Sequence, residues 1–188
     1  MNTSFAIQDT EFEGLKVITP FFVEDERGYF LKSFEKDVFK SLGLDADIFE
    51  EFDSLSSKNV VRGLHFQTKK PQVKIVRAIS GTIMDVVVDL RPKSKTFGKW
   101  KSFILSSENH LSLFIPAGFA HGFKVISETA IMSYKCIGRY DKQSDSGIKW
   151  NDKTINVDWG IDNPIVSKRD NSLPSFEEYL LNPIEFDQ

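Results

Sequence analysis

Thr82-Ile83-Met84-Asp85-Val86-Val87-Val88-Asp89-Leu90 is the stretch from which the fold can be read. It alternates with a period of two, placing Ile83, Asp85, Val87 and Asp89 on one face and Met84, Val86, Val88 and Leu90 on the other. Both faces are partly apolar, so this strand belongs inside a layered structure. Outward from it, further candidate strands lie at 15–23, 59–66, 73–80, 100–105, 111–115, 119–125 and 130–136, divided by Gly, Pro, Asn and Ser. Short strands broken in this way predict an all-β barrel or jelly roll. The 17 phenylalanines, with Val and Ile, favour pleated surfaces over helices. One helix is predicted on the outside of the barrel, with Ser33 as N-cap, Phe34, Val38, Phe39 and Leu42 as its apolar stripe and Gly43 at its stop. Beyond 141 the chain turns polar and is punctuated by Pro164, Pro174 and Pro183, so loops, an edge strand and a short helix at 175–181 are expected there.

At 188 residues the chain suits one domain over 1–188, and 40% hydrophobic with 27% charged residues excludes a disordered polymer. The net charge of −3, with Lys and Arg scattered, leaves no footprint for nucleic acid. No apolar run approaches the ~20 residues of a membrane span, and the first residues lack the charged-then-apolar order of a secretion signal. A cytoplasmic protein is expected. Its single Cys136 cannot form an internal disulfide and reads as a small buried hydrophobe.

Of three histidines, two have unusual surroundings. His65 lies in Val60-Val61-Arg62-Gly63-Leu64-His65-Phe66-Gln67, where Arg62 and His65 would point to opposite faces of a regular strand; a bulge at Gly63 would bring them together. His121 lies in Ile115-Pro116-Ala117-Gly118-Phe119-Ala120-His121-Gly122-Phe123, where glycine leaves room for a ligand's close approach. His110 follows Asn109 in an apparent turn and reads as a solvated loop residue. No His-x-His pair or clustered His, Asp and Glu set suggests a metal site. Neither a Gly-x-Ser-x-Gly elbow nor a Gly-x-Gly-x-x-Gly or Walker loop is present, so any nucleotide must be held by side chains.

The segments Asp25-Glu26-Arg27-Gly28-Tyr29-Phe30, Asn59 to Gln67, Lys70-Pro71-Gln72-Val73-Lys74, Asp85 to Arg91 and Ile115 to Phe123 resemble the dTDP-4-dehydrorhamnose 3,5-epimerase family in order and spacing. Tyr134-Lys135-Cys136, Trp150-Asn151-Asp152 and Ser167-Lys168-Arg169-Asp170 extend the likeness from Phe12 to Pro174. The resemblance implies a cupin-type jelly roll, without metal or redox cofactor, working as a dimer that exchanges N-terminal strands. It implies an isomerase that inverts carbons beside the ketone of a nucleotide-linked 4-keto-6-deoxy sugar. By motif match His65 is the base, Asp170 its orienting partner, Tyr134 the acid and Lys74 the cation facing the C4 oxygen. Arg27, Arg62 and Arg169 match diphosphate or sugar-nucleotide contacts, His121 another substrate contact, and Phe30 and Gln67 lie in matched site segments.

Several positions depart from the family pattern. Glu50-Glu51-Phe52-Asp53-Ser54 replaces Gln-Asp-Asn, a variable residue and Ser, so Glu50 and Phe52 stand where polar substrate contacts are usual. Lys32 replaces a glutamate, Arg139 aligns with the tyrosine that stacks on thymine, and Asp145 with a glutamate. Retained epimerase chemistry at C3, C5 or both of a nucleotide-linked 4-keto-6-deoxyhexose is the expectation, with the nucleotide and the sugar left open by these changes. The alternatives are an enzyme inverting C3 or C5 alone on a CDP- or GDP-sugar, a sugar-nucleotide ketoisomerase, and a noncatalytic nucleotide-sugar binder.

Overall fold

The computed structural model describes residues 4–44, 46–184 and 186. Among these, thirteen strands form: β1 (Ala6–Asp9), β2 (Lys16–Thr19), β3 (Phe21–Asp25), β4 (Gly28–Lys32), β5 (Ile48–Ser57), β6 (Val61–Gln67), β7 (Val73–Ser80), β8 (Thr82–Asp89), β9 (Trp100–Ser106), β10 (Ser112–Ile115), β11 (Phe119–Val125), β12 (Thr129–Ile137) and β13 (Asp145–Gly147). Three short helices accompany them: α1 (Lys36–Ser41), α2 (Lys168–Asn171) and α3 (Phe176–Leu180).

A six-stranded sheet, β1-β2-β10-β7-β12-β5, faces a five-stranded one, β13-β6-β11-β8-β9, and β3 pairs with β4 as a separate hairpin. The strand pairings are antiparallel, as in a cupin-type jelly roll. Between the sheets Val76, Leu113 and Met132 from one pack against Ile83, Val87 and Phe123 from the other.

The reading of β8 explains its place. Ile83 and Val87 point into the inter-sheet core, while Val86, Val88 and Leu90 pack outward beneath Trp159, Phe176 and Tyr179 of the C-terminal segment. Asp89 is also buried, but Arg91, Ser94 and Thr96 donate to its carboxylate at the strand's end. On the outer face of the six-stranded sheet, Phe39 of α1 is buried against Ile18 and Ile75, so the helix lies outside the barrel as expected.

Two expectations need correction. The run 15–23 is two strands, broken at Pro20, which has no N–H to donate to a ladder. Ser33 does not cap α1; Glu35 occupies the N-cap with extended backbone and no side-chain cap bond. The chain stays extended there while Phe34 sets its ring 4.8 Å from that of Phe39. At the other end, Ser175 closes a capping box with Glu178 on α3.

Candidate active site

The two sheets enclose a cavity of about 440 Å³. One wall comes from β6 and β11. Their register passes from His121 opposite His65 to Phe123 opposite Arg62, so β6 carries an extra residue there. This bulge turns both Arg62 and His65 to the cavity despite their odd spacing. Gly63 permits it: its φ is +118°, and a Cβ would stand 2.6 Å from the Gly122 Cα. Gly122 is glycine for the reciprocal reason, since its Cβ would meet the Arg62 carbonyl at 2.5 Å. The side of Gly122 on which a Cβ would stand is filled by β6 backbone, while Gly122 itself is in the cavity lining.

Behind His65 stands α2. Ser167 caps it by accepting the Asp170 N–H, which fixes Asp170 at its start. Asp170 Oδ2 accepts the Gly63 N–H at 3.0 Å, and Oδ1 lies 2.8 Å from His65 Nε2. The Asp170 carboxylate only accepts and so favours a proton on Nε2 with the free lone pair on Nδ1, while the Arg169 guanidinium, which only donates, competes at the same nitrogen. Burial lowers the His65 pKa below the ordinary imidazole value, against the opposing pull of Asp170. Burial acts to raise the Asp170 pKa, yet His65 and the Gly63 N–H hold it below the usual carboxylate range. Arg169 Nη1 sits 2.8 Å from His65 Nε2, and its Nη2 donates to Asp145 Oδ2 at 2.6 Å.

The facing wall comes from β5, β7 and β12. Tyr134 and Phe52 are direct cross-strand partners, their rings stacked with centroids 4.7 Å apart and planes 13° apart. His121 presents its ring to Tyr134 edge-on at 6.1 Å. Burial raises the Tyr134 pKa above the ordinary phenol value, and nearby Asp85 adds to the shift. Lys74 on β7 has its pKa lowered, chiefly by burial. Beneath them His121 Nε2 lies 2.8 Å from Asp85 Oδ2, and burial raises the Asp85 pKa. Cys136, fully buried on β12, has its thiol pushed up to about 11 by burial.

The structure thus gathers His65, Tyr134, Lys74, Arg62, Arg169 and His121 around one cavity. Glu50, Phe52 and Gln67 line it as well. Glu50 accepts from Gln72, while Gln67 braces the 139–141 turn through the Arg139 carbonyl and the Asp141 N–H. Arg27 and Phe30 do not reach the cavity: both lie on the exposed β3–β4 hairpin, where Arg27 pairs with Asp25. Arg139 is also outside it, its guanidinium 4.6 Å over the Phe49 ring. The next residue, Tyr140, is in the lining and donates to Asp145. Lys32 pairs with Glu35 beside α1. His110, read as solvated, is half-buried and stacks on Phe22 at 4.5 Å.

Ser54, Gln72 and Tyr140 are lining residues that sequence reasoning missed. Gln72 stands two residues before Lys74 and Ser54 two after Phe52, so period-two spacing from a chosen residue was the available signal. Among the described residues no group of three or more His, Cys, Asp or Glu is placed to hold a metal ion. What the cavity does offer is a neutral base on one wall, with a protonated phenol and a lysine on the other. That arrangement suits moving a proton at carbon beside a carbonyl.

Comparison with known proteins agrees. The family model described as dTDP-4-dehydrorhamnose 3,5-epimerase matches residues 9–178. The dTDP-4-dehydrorhamnose 3,5-epimerase of Methanothermobacter thermautotrophicus is 43% identical over 96% of this chain and 97% of its own. A crystal structure of the Elizabethkingia anophelis dTDP-4-dehydrorhamnose 3,5-epimerase superposes with a TM-score of 0.87 at 42% identity, covering 93% of this chain and 97% of that one. The dTDP-6-deoxy-D-glucose-3,5-epimerase of Legionella pneumophila, solved in complex with dTDP-4-keto-L-rhamnose, gives 0.92 at 35% identity, over 98% and 99% of the two chains. With a matching family model over most of its length and the cavity to go with it, this chain belongs to the dTDP-4-dehydrorhamnose 3,5-epimerase family.

Proposed function

We propose that this isomerase inverts both C3 and C5 of a dTDP-linked 4-keto-6-deoxyhexose, using His65 as base and Tyr134 as acid. The observation that carries the assignment is the Asp170-oriented His65 facing Tyr134 across one cavity. The C4 ketone acidifies the neighbouring C–H bonds. His65 Nδ1 takes the proton, the C–H electron pair moves into the enolate, and its negative charge collects on the C4 oxygen before Lys74. The Tyr134 O–H then gives its proton to carbon from the other face, the C4 carbonyl reforms, and the phenolate left behind regains a proton from water. His65 returns its proton to solvent before the second centre reacts.

Arg62 and Arg169 hold the diphosphate, and His121 contacts the sugar. Tyr140 supplies the aromatic face for the base that Arg139 does not, which favours retention of a thymidine nucleotide; the Legionella relative holds such a sugar nucleotide. We further propose that the enzyme acts in the cytoplasm as a homodimer in which Arg27 and Phe30 complete the partner's cavity. No described helix is long and apolar enough to cross a membrane.

The test is solvent deuterium incorporation at C3 and C5, followed by NMR on dTDP-, CDP- and GDP-4-keto-6-deoxyglucose. Both carbons of the dTDP sugar are expected to exchange and invert; labelling at one carbon alone would establish a single-centre epimerase. His65→Asn is expected to lower exchange and inversion together by about 10²–10⁴-fold. Tyr134→Phe leaves the base in place, so exchange should outrun inversion. A His65→Asn enzyme that inverts at the wild-type rate under saturation would refute the base assignment.

A further inference from the structure

We propose that Phe52 is a positioning residue for Tyr134, setting the plane of the phenol that delivers the proton; this rests on the acid role given to Tyr134 above. The terminal torsion of a tyrosine is broad and has no sharp rotamer wells, so its ring plane must be set by neighbours. Two rings bound Tyr134: Phe52 nearly parallel at 4.7 Å and His121 edge-on at 6.1 Å. The stack is built into the sheet, because Tyr134 and Phe52 are direct partners between β12 and β5. Tyr134 is 8% exposed, whereas Phe52 is 47% exposed and belongs to no buried cluster. A ring so open contributes little to the core. What its covered face touches is the catalytic phenol, and proton transfer is sensitive to small displacements of the donor.

Phe52 also lines the cavity, so the competing view is a plain substrate contact. The experiment compares Phe52→Leu, Phe52→Tyr and Tyr134→Phe with wild type, reading KM, kcat for inversion and deuterium exchange in one assay. Phe52→Leu keeps an apolar side chain but loses the stack. Inversion is expected to fall by about 3- to 10-fold, the rate equivalent of one aromatic pair, with deuterium exchange changed less than about 2-fold. Phe52→Tyr keeps the stack and is expected to restore the ratio of inversion to exchange. If Phe52→Leu raises KM alone, or lowers exchange and inversion by the same factor, the positioning role is overturned. If Tyr134→Phe itself inverts at the wild-type rate, the acid assignment fails and takes this inference with it. A Tyr134→Phe enzyme that exchanges without inverting, beside an unaltered Phe52→Leu enzyme, would overturn the positioning role alone.

Discussion

Burial pulls the His65 imidazole below its ordinary pKa against the upward pull of Asp170, while Arg169 and Lys74 lower it further. A base must be unprotonated, so kcat/KM should fall as pH drops through this lowered value, and the plateau should reach below the usual ~6.5 of histidine. Asp170→Asn removes the one influence that raises the pKa. The acid limb should therefore move to still lower pH, while the plateau drops about 10²-fold because the tautomer is no longer enforced. On the basic side two groups compete. Burial and Asp85 hold the Tyr134 phenol above its ordinary range, whereas burial draws the Lys74 ammonium below its own. Lys74 thus loses its charge first as pH rises, and the basic limb belongs to it. Lys74→Arg should remove that limb from the accessible range. An acid limb moved upward by Asp170→Asn would contradict the electrostatic account.

Two glycines on paired strands hold the bulge that aims Arg62 and His65. At Gly63 an alanine would face both an unfavourable φ of +118° and the Gly122 backbone, and at Gly122 the Arg62 carbonyl. Gly122→Ala is expected to cost about 1–3 kcal/mol through overpacking, and Gly63→Ala more, since the left-handed backbone adds its own strain. Urea midpoints would show it, with inversion and exchange lowered together because the base is misplaced. The same segment shows how much the sequence disclosed. The odd spacing of Arg62 and His65 around Gly63 already asked for an irregularity, and β7 and β11 run over the expected 73–80 and 119–125. By contrast β5 was not foreseen. As an edge strand with one face on the cavity it carries Glu50, Glu51, Asp53 and three serines, and shows no clean apolar alternation. The choice between Arg139 and Tyr140 was equally hidden. Both follow the end of β12, where turn geometry and not strand periodicity decides which side chain enters the cavity.

The β3–β4 hairpin bears on the molecule as a whole. Its strands pair with each other and with no other named strand, and an isolated two-stranded hairpin is marginal in water. Yet it exposes Tyr29 at 55% and Phe30 at 57%, and holds Arg27 out with a side chain 84% exposed. In the proposed homodimer such a ribbon would gain stability by lying against the second copy, and the apolar Phe49 and Leu55, exposed on edge strand β5, would offer a further surface. Light scattering at micromolar concentration should give twice 21.5 kDa, and a monomer would refute the dimer. Mass alone does not show that the hairpin enters a neighbour's cavity, but a mixture of two inactive variants does. Arg27→Ala and His65→Asn homodimers should each be weak, the first through diphosphate binding and the second through chemistry. If Arg27 serves the partner's site, a mixed dimer carries both lesions in one cavity and neither in the other. Equal mixing after denaturation and refolding should then recover about a quarter of wild-type activity, because half the dimers are mixed and each holds one intact site of two. If Arg27 instead serves its own cavity, every site in the mixture keeps one lesion, and mixing recovers nothing beyond the average of the two variants.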